Sequence, residues 1–286
     1  MKLKFKHKVA IKIYQTKFKA LSFISTKIAA QKLFNFFCTP YSGKPKRKEP
    51  LLFKKGKNIS VIYEKNKING WQFVPLKPNG HKTLVLHGFD SCAYKSESII
   101  ATLYDNGYEV FAFDALGHGT SDGKTINAKQ YSEIISLIDN NFGKMYAFVA
   151  HSLGGLAASL AVEKYCKDLP KLVLIAPATE TTTAIDNFFK FLKMPLHLKP
   201  EIENLIVEMS GQQPSYFSVS RSIKNFENST LWIHDQNDFI CPIADVLPIK
   251  KLNLPHIEFY FTKKLGHNLV YRNKEVLNKI IQFLNS

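Results

Sequence analysis

The chain has 286 residues, 45% of them apolar and 22% charged, with a formal net charge of +16. That balance is globular and excludes a disordered polymer, while the length leaves one large domain or two small ones open. Four cysteines (Cys38, Cys92, Cys166, Cys241) stand far apart with no C-x-x-C pair. They read as reduced thiols in a reducing compartment, not as a disulfide frame or a zinc site.

The charge is not spread evenly. Residues 1–57 hold sixteen Lys and Arg against one acid, Glu49, and the remainder holds 23 basic and 22 acidic groups. A strongly basic arm is therefore joined to a nearly neutral body, and an acidic surface is the partner expected for the arm. Residues 1–40 alternate lysine with apolar and aromatic residues. Lys12, Lys17, Lys19, Lys27 and Lys32 interrupt any apolar core that an export signal needs, and no charge-free run approaches the ~18 residues of a membrane span. Apolar positions at 18, 21, 24 and 28, then 30, 33, 34 and 37, fit one or two amphipathic helices. Such a helix either packs on the body or lies on an anionic membrane surface, and both remain open. Nucleic-acid contact has no recognised motif to support it. A cytoplasmic place follows, with a peripheral position on the inner face of a membrane open through the arm.

Residues 39–50 read as a linker, with three prolines, a glycine and a basic cluster at 44–48. The expected division is thus an arm and linker at 1–50 and a domain at 51–286. Residues 59–63 and 68–74 alternate as a hairpin around a polar turn at 65–67. From 83 onward, continuous apolar runs at 83–86, 108–113, 145–149, 172–175, 231–233 and 257–261 read as parallel strands covered on both faces. Helical patterns at about 96–105, 128–140, 153–166, 243–251 and 273–285 lie between most of them. Strands alternating with helices predict an α/β fold with a doubly wound, mostly parallel sheet. One gap breaks the alternation. Residues 178–228 exceed what a crossover requires and are rich in Phe and Leu (Phe188, Phe189, Phe191, Leu192, Leu196, Leu198).

The stretch Met145 to Ala158 carries the chemistry. A strand-like run ends at Ser152, and a small-residue helix pattern (Leu153, Leu156, Ala157, Leu160, Ala161) begins at once. A serine pinned between strand and helix sits on a sharp turn that points its hydroxyl away from both backbones. Such a turn needs small residues two before and two after, here Ala150 and Gly154.

This pattern resembles the nucleophile elbow of the α/β-hydrolase superfamily, with alanine in place of the first glycine, and three further stretches of this chain resemble it too. His234-Asp235-Gln236-Asn237-Asp238-Phe239-Ile240-Cys241-Pro242 is similar to the family's acid loop, with Asp238 at the acid position and Asp235 the weaker candidate. Leu265-Gly266-His267 after the last strand is similar to its closing Gly-His. His87-Gly88-Phe89 is similar to its oxyanion loop, and Asp114 to Ser121 to its D-x-x-G-H-G-x-S loop, with Leu116 where many relatives carry arginine. The resemblance covers about residues 58–286. It implies Ser152, Asp238 and His267 as catalytic residues, backbone N–H groups of Phe89 and Leu153 as the oxyanion hole, and a cap at about 178–228. It implies no metal and no organic cofactor. The expected activity is serine hydrolysis of a small-molecule carboxylic ester, apolar or lipid-like, by an acyl-enzyme route. The rival is a catalytically idle fold of this type, used as a binding module on a membrane surface. Fold alone does not choose the substrate.

Overall fold

The computed structural model describes residues 5–41 and 48–286, with side chains from residue 11 onward. All of the expected basic cluster at 44–48 except Lys48 lies outside the described residues. Eight strands form one sheet: β1 (Lys57–Tyr63), β2 (Asn66–Phe73), β3 (Lys82–Leu86), β4 (Glu109–Phe113), β5 (Ala147–His151), β6 (Lys171–Ile175), β7 (Ser229–Asp235) and β8 (Ile257–Thr262). Their order is β1-β2-β4-β3-β5-β6-β7-β8. β1 and β2 pair antiparallel, as do β2 and β4, and all other pairs are parallel. The helices are α1 (Phe5–Ile24), α2 (Thr26–Phe37), α3 (Glu97–Asp105), α4 (Ala128–Phe142), α5 (Leu153–Lys164), α6 (Thr181–Leu192), α7 (Lys199–Ser210), α8 (Val219–Ser222), α9 (Leu247–Lys251), α10 (Gly266–Leu269) and α11 (Lys274–Asn285).

The inner parallel strands read as unbroken apolar runs because both faces are covered, whereas β8 at the sheet edge is only half-buried. β5 and β6 are buried at every position. One face packs Val85, Val149, Val173, Leu231 and Ile233 against Ile99, Ile100 and Leu103 of α3 and Val276, Ile280 and Leu284 of α11. Local chemistry sets helix starts: Asn127 and Gln130 form a reciprocal capping box on α4, and the Asn273 side chain caps α11. The hairpin turn falls one residue earlier than its polar residues imply. Tyr63 pairs with Asn66, which leaves a two-residue loop whose Glu64 takes a positive φ of 55°.

The chain divides into two compact units. One combines Met1–Thr39 with Glu180–Phe217, and the other combines Pro40–Thr179 with Ser218–Ser286. The arm thus shares a unit with the insertion, a pairing the sequence pattern did not signal. In that unit α1 contacts α2 and α6, and α2 contacts α7. Phe18, Ala29, Ala30, Leu33 and Phe34 are buried, and the rings of Phe36 and Phe37 pack on Phe188 at centroid distances of 6.1 and 5.0 Å. Phe188, expected in a cap over substrate, gives its ring to the arm. The insertion also ends earlier than the 228 expected, since residues 218–228 belong to the sheet unit. There Arg221 of α8 forms a two-pronged ion pair with Glu163 of α5 at 2.6 and 2.5 Å. All four cysteines are free and buried.

Candidate active site

Ser152 stands between β5 and α5 with φ 55° and ψ −121°. A non-glycine residue held there stores roughly 1–3 kcal/mol of strain, so its neighbours must hold it. Its N–H donates to Ile175 O at 3.1 Å, and its carbonyl accepts from Gly155 N at 2.9 Å and Ala178 N at 3.0 Å. The small residues around it have steric reasons. A Cβ on Gly154 would lie 2.7 Å from His87 O, and one on Gly88 would lie 2.7 Å from Ser152 Cβ. The 87–90 loop therefore lies directly against the serine.

Three residues far apart in sequence meet here. His267 Nε2 lies 3.0 Å from Ser152 Oγ, and His267 Nδ1 lies 2.7 Å from Asp238 Oδ2. Burial works to raise the Asp238 pKa. The His267 ring and the N–H groups of Cys241 and Ile240, donating to Oδ1 at 2.9 and 2.8 Å, outweigh it and hold the carboxyl below its ordinary range. An ionised carboxylate only accepts. Nδ1 must then carry the proton and donate, which leaves Nε2 to accept from the Ser152 hydroxyl. All three side chains are buried.

Asp235 has a different place. Its Oδ2 accepts from the Thr262 hydroxyl at 2.7 Å and from Leu265 N at 3.0 Å, and its Oδ1 accepts from Asn237 N at 2.9 Å. Burial opposes its ionisation, yet Thr262 and the backbone N–H groups of Gly266, Asn237 and Leu265 hold its pKa down. It ties the end of β7 to the loop that delivers His267.

The loop before Phe89 is fixed by two neutral histidines. His87 Nδ1 donates to Gly88 O at 2.8 Å, and its Nε2 accepts from Ala115 N at 2.9 Å. His118 Nδ1 donates to Leu116 O at 3.0 Å, and its Nε2 accepts from Asp90 N at 3.1 Å. Burial lowers both to about 4. Asp114 shapes the same region by accepting from Ala93 N and from the backbone and hydroxyl of Thr120. Among the described residues, the N–H groups of Phe89 and Leu153 donate to no protein acceptor. Leu153 opens α5, whose N-terminal end favours negative charge.

Three supporting residues escaped the sequence reading. His151 donates from Nε2 to the His267 carbonyl at 3.0 Å, and burial with His267 nearby lowers it to about 3. His234 donates from Nε2 to Cys241 O at 2.9 Å and closes the Asp238 loop. Cys241 donates its N–H to Asp238 Oδ1 at 2.9 Å, and burial pushes its thiol pKa up, so the thiol stays neutral. Their only sequence signal is adjacency: His151 to Ser152, His234 to the strand end, Cys241 to the acid loop. No group of three or more His, Cys, Asp or Glu is placed to hold a metal ion among the described residues.

Comparison with known proteins agrees with this architecture. A family model described as "Serine aminopeptidase, S33" matches residues 78–239. No curated protein sequence matches the chain. Among solved structures, an esterase of Pyrococcus furiosus superposes with a TM-score of 0.65 at 20% identity, over 85% of this chain and 97% of that one. Est1E of Butyrivibrio proteoclasticus, solved with ferulic acid, gives 0.62 at 16% identity, over 79% and 98%. A bacterial membrane phospholipase A gives 0.60 at 17%, over 82% and 87%. At these identities the structures speak for the fold, and the family model covers more than half of the chain. The chain belongs to the serine aminopeptidase S33 family of α/β hydrolases.

Proposed function

We propose that this hydrolase cleaves a carboxylic ester with an apolar or lipid-like acyl group, through an acyl-enzyme on Ser152. The observation that carries this reading is the chain of contacts Ser152 Oγ, His267 Nε2, His267 Nδ1 and Asp238 Oδ2, at 3.0 and 2.7 Å on a strained turn. His267 accepts the Ser152 proton as Oγ attacks the carbonyl carbon, and Asp238 stabilises the imidazolium that forms. The carbonyl oxygen becomes an oxyanion facing the Phe89 and Leu153 N–H groups, each such donor being worth about 10²–10³ in rate. The imidazolium then protonates the leaving alkoxide. Water repeats the sequence on the acyl-enzyme and restores Ser152. The esterases and the phospholipase among the similar structures support an ester. The family description raises an aminoacyl amide as the competing substrate.

A fluorophosphonate probe tests the nucleophile. Native protein should be labelled at Ser152 and should hydrolyse p-nitrophenyl esters. Ser152→Ala should lose both with its melting temperature nearly unchanged, and wild-type turnover in that variant would overturn the mechanism. A panel of esters of rising acyl length beside aminoacyl p-nitroanilides tests the substrate class. Turnover of the anilides alone would move the reading to an aminopeptidase.

A further inference from the structure

Among the described apolar side chains of the arm, some are buried and some are exposed, and the two most exposed gather at one place. Phe18, Ala29, Ala30, Leu33 and Phe34 are buried within the unit formed by the arm and the insertion. Phe23, Ile24 and Ile28 are 91%, 81% and 50% exposed. These three flank Ser25, where α1 ends and α2 begins, with the Ser25 hydroxyl accepting from Ile28 N at 3.3 Å to cap the second helix. A single exposed isoleucine needs no explanation, but an aromatic and two aliphatic side chains gathered at one bend do. Lys17, Lys19, Lys27 and Lys32, all exposed, lie within about two turns of the bend, and no acid occurs before Glu49. Lys27 has Glu208 at 3.8 Å, but both side chains are well exposed and the pair is weak.

We propose that the α1–α2 bend inserts Phe23, Ile24 and Ile28 into the headgroup region of an anionic lipid membrane, with the flanking lysines on lipid phosphates. Aliphatic side chains select this partner. Nucleic acid would be met by lysine and by stacking aromatics, and Ile24 and Ile28 offer neither charge nor a ring face. Lipid offers both an apolar layer and negative charge at the same depth. The packed face of the arm and its exposed bend thus divide two tasks between one pair of helices. No helix among the described residues is long and apolar enough to cross a membrane, so the contact is interfacial.

Co-sedimentation of the full chain with vesicles of phosphatidylglycerol and phosphatidylcholine tests this, independently of any ester turnover. Binding is expected at low salt and should fall sharply near 1 M salt, where screening shortens to ~3 Å. Vesicles of phosphatidylcholine alone should bind far less. Replacing Phe23→Ser, Ile24→Ser and Ile28→Ser together should weaken partitioning by about tenfold or more. Lys17→Gln, Lys19→Gln, Lys27→Gln and Lys32→Gln together should weaken binding and reduce its salt dependence. Phe23→Trp gives a direct reading that does not depend on the multiple variants folding. Trp71 and Trp232 are buried, so a blue shift on adding anionic vesicles reports the added indole entering the interface. Absence of vesicle binding at low salt, an unshifted emission, or tight binding of a DNA duplex with none to vesicles would each overturn the proposal.

Discussion

Asp238 and Asp235 stand three residues apart, and both engage the segment around His267, one at the imidazole and the other at the backbone before it. Their replacement by asparagine should therefore separate chemistry from loop anchoring. Asp238→Asn removes the acceptor that fixes the His267 tautomer, a change typically worth ~10⁴ in turnover. Its melting temperature should fall as well, because the carboxylate also accepts from the Ile240 and Cys241 N–H groups, so the scale of the activity loss is what sets this variant apart. Asp235→Asn leaves the His267–Asp238 contact in place but weakens a carboxylate that accepts from Thr262, Leu265, Gly266 and Asn237. Hydrogen bonds to a charged group contribute about 1.5–3 kcal/mol each, so this variant should melt lower and lose activity only modestly. Steady-state kinetics beside thermal denaturation check the pair. A larger activity loss in Asp235→Asn would move the acid role to that residue.

At the scale of elements, α1 and α2 are integral to the fold of the insertion. They supply Phe18, Ala29, Ala30, Leu33 and Phe34 to its buried set and the rings that meet Phe188. Deleting one large buried side chain costs about 2–5 kcal/mol, and removing the arm deletes several at once. A chain beginning at Pro40 should leave α6 and α7 without a core. Hydrogen exchange should show protection lost across residues 180–217, while β5 and β6, buried at every position, keep theirs. Undiminished protection in α6 and α7 would show that the insertion folds without the arm.

The whole molecule should be acid-sensitive in a defined window. His87 and His118 drop from 6.5 to about 4, and His151 from 6.5 to about 3, in each case chiefly because burial disfavours the charged ring. A lowered histidine means that the unfolded chain binds the proton more readily than the folded one. Stability is then complete above pH 6.5 and falls as pH drops toward 4, by about 3 kcal/mol for each such group. Asp238 and Asp235 are held below 3.8, so their contribution is lost only at still lower pH. Urea midpoints measured from neutral pH down to 4 should fall steadily. A flat profile over that range would show that these rings do not titrate on unfolding.

Periodicity alone made most of the sheet legible. Strands β3 to β8 and helices α3, α4, α5 and α11 lie within a few residues of their expected bounds, because a parallel strand covered on both faces must be apolar throughout. Ser152, Asp238 and His267, which the structure brings within hydrogen-bond reach of one another, carry motif signals because each follows a strand end, where local sequence fixes a turn. The union of the arm with the insertion left no such trace. Its contacts join residues on either side of a long stretch of chain, and an amphipathic stripe states that it will be covered without stating by what. The same holds for His151 and Asp235, which bond the His267 carbonyl and the Leu265 N–H on a loop remote in sequence. Backbone groups are alike at every position, so only the tertiary structure could choose them.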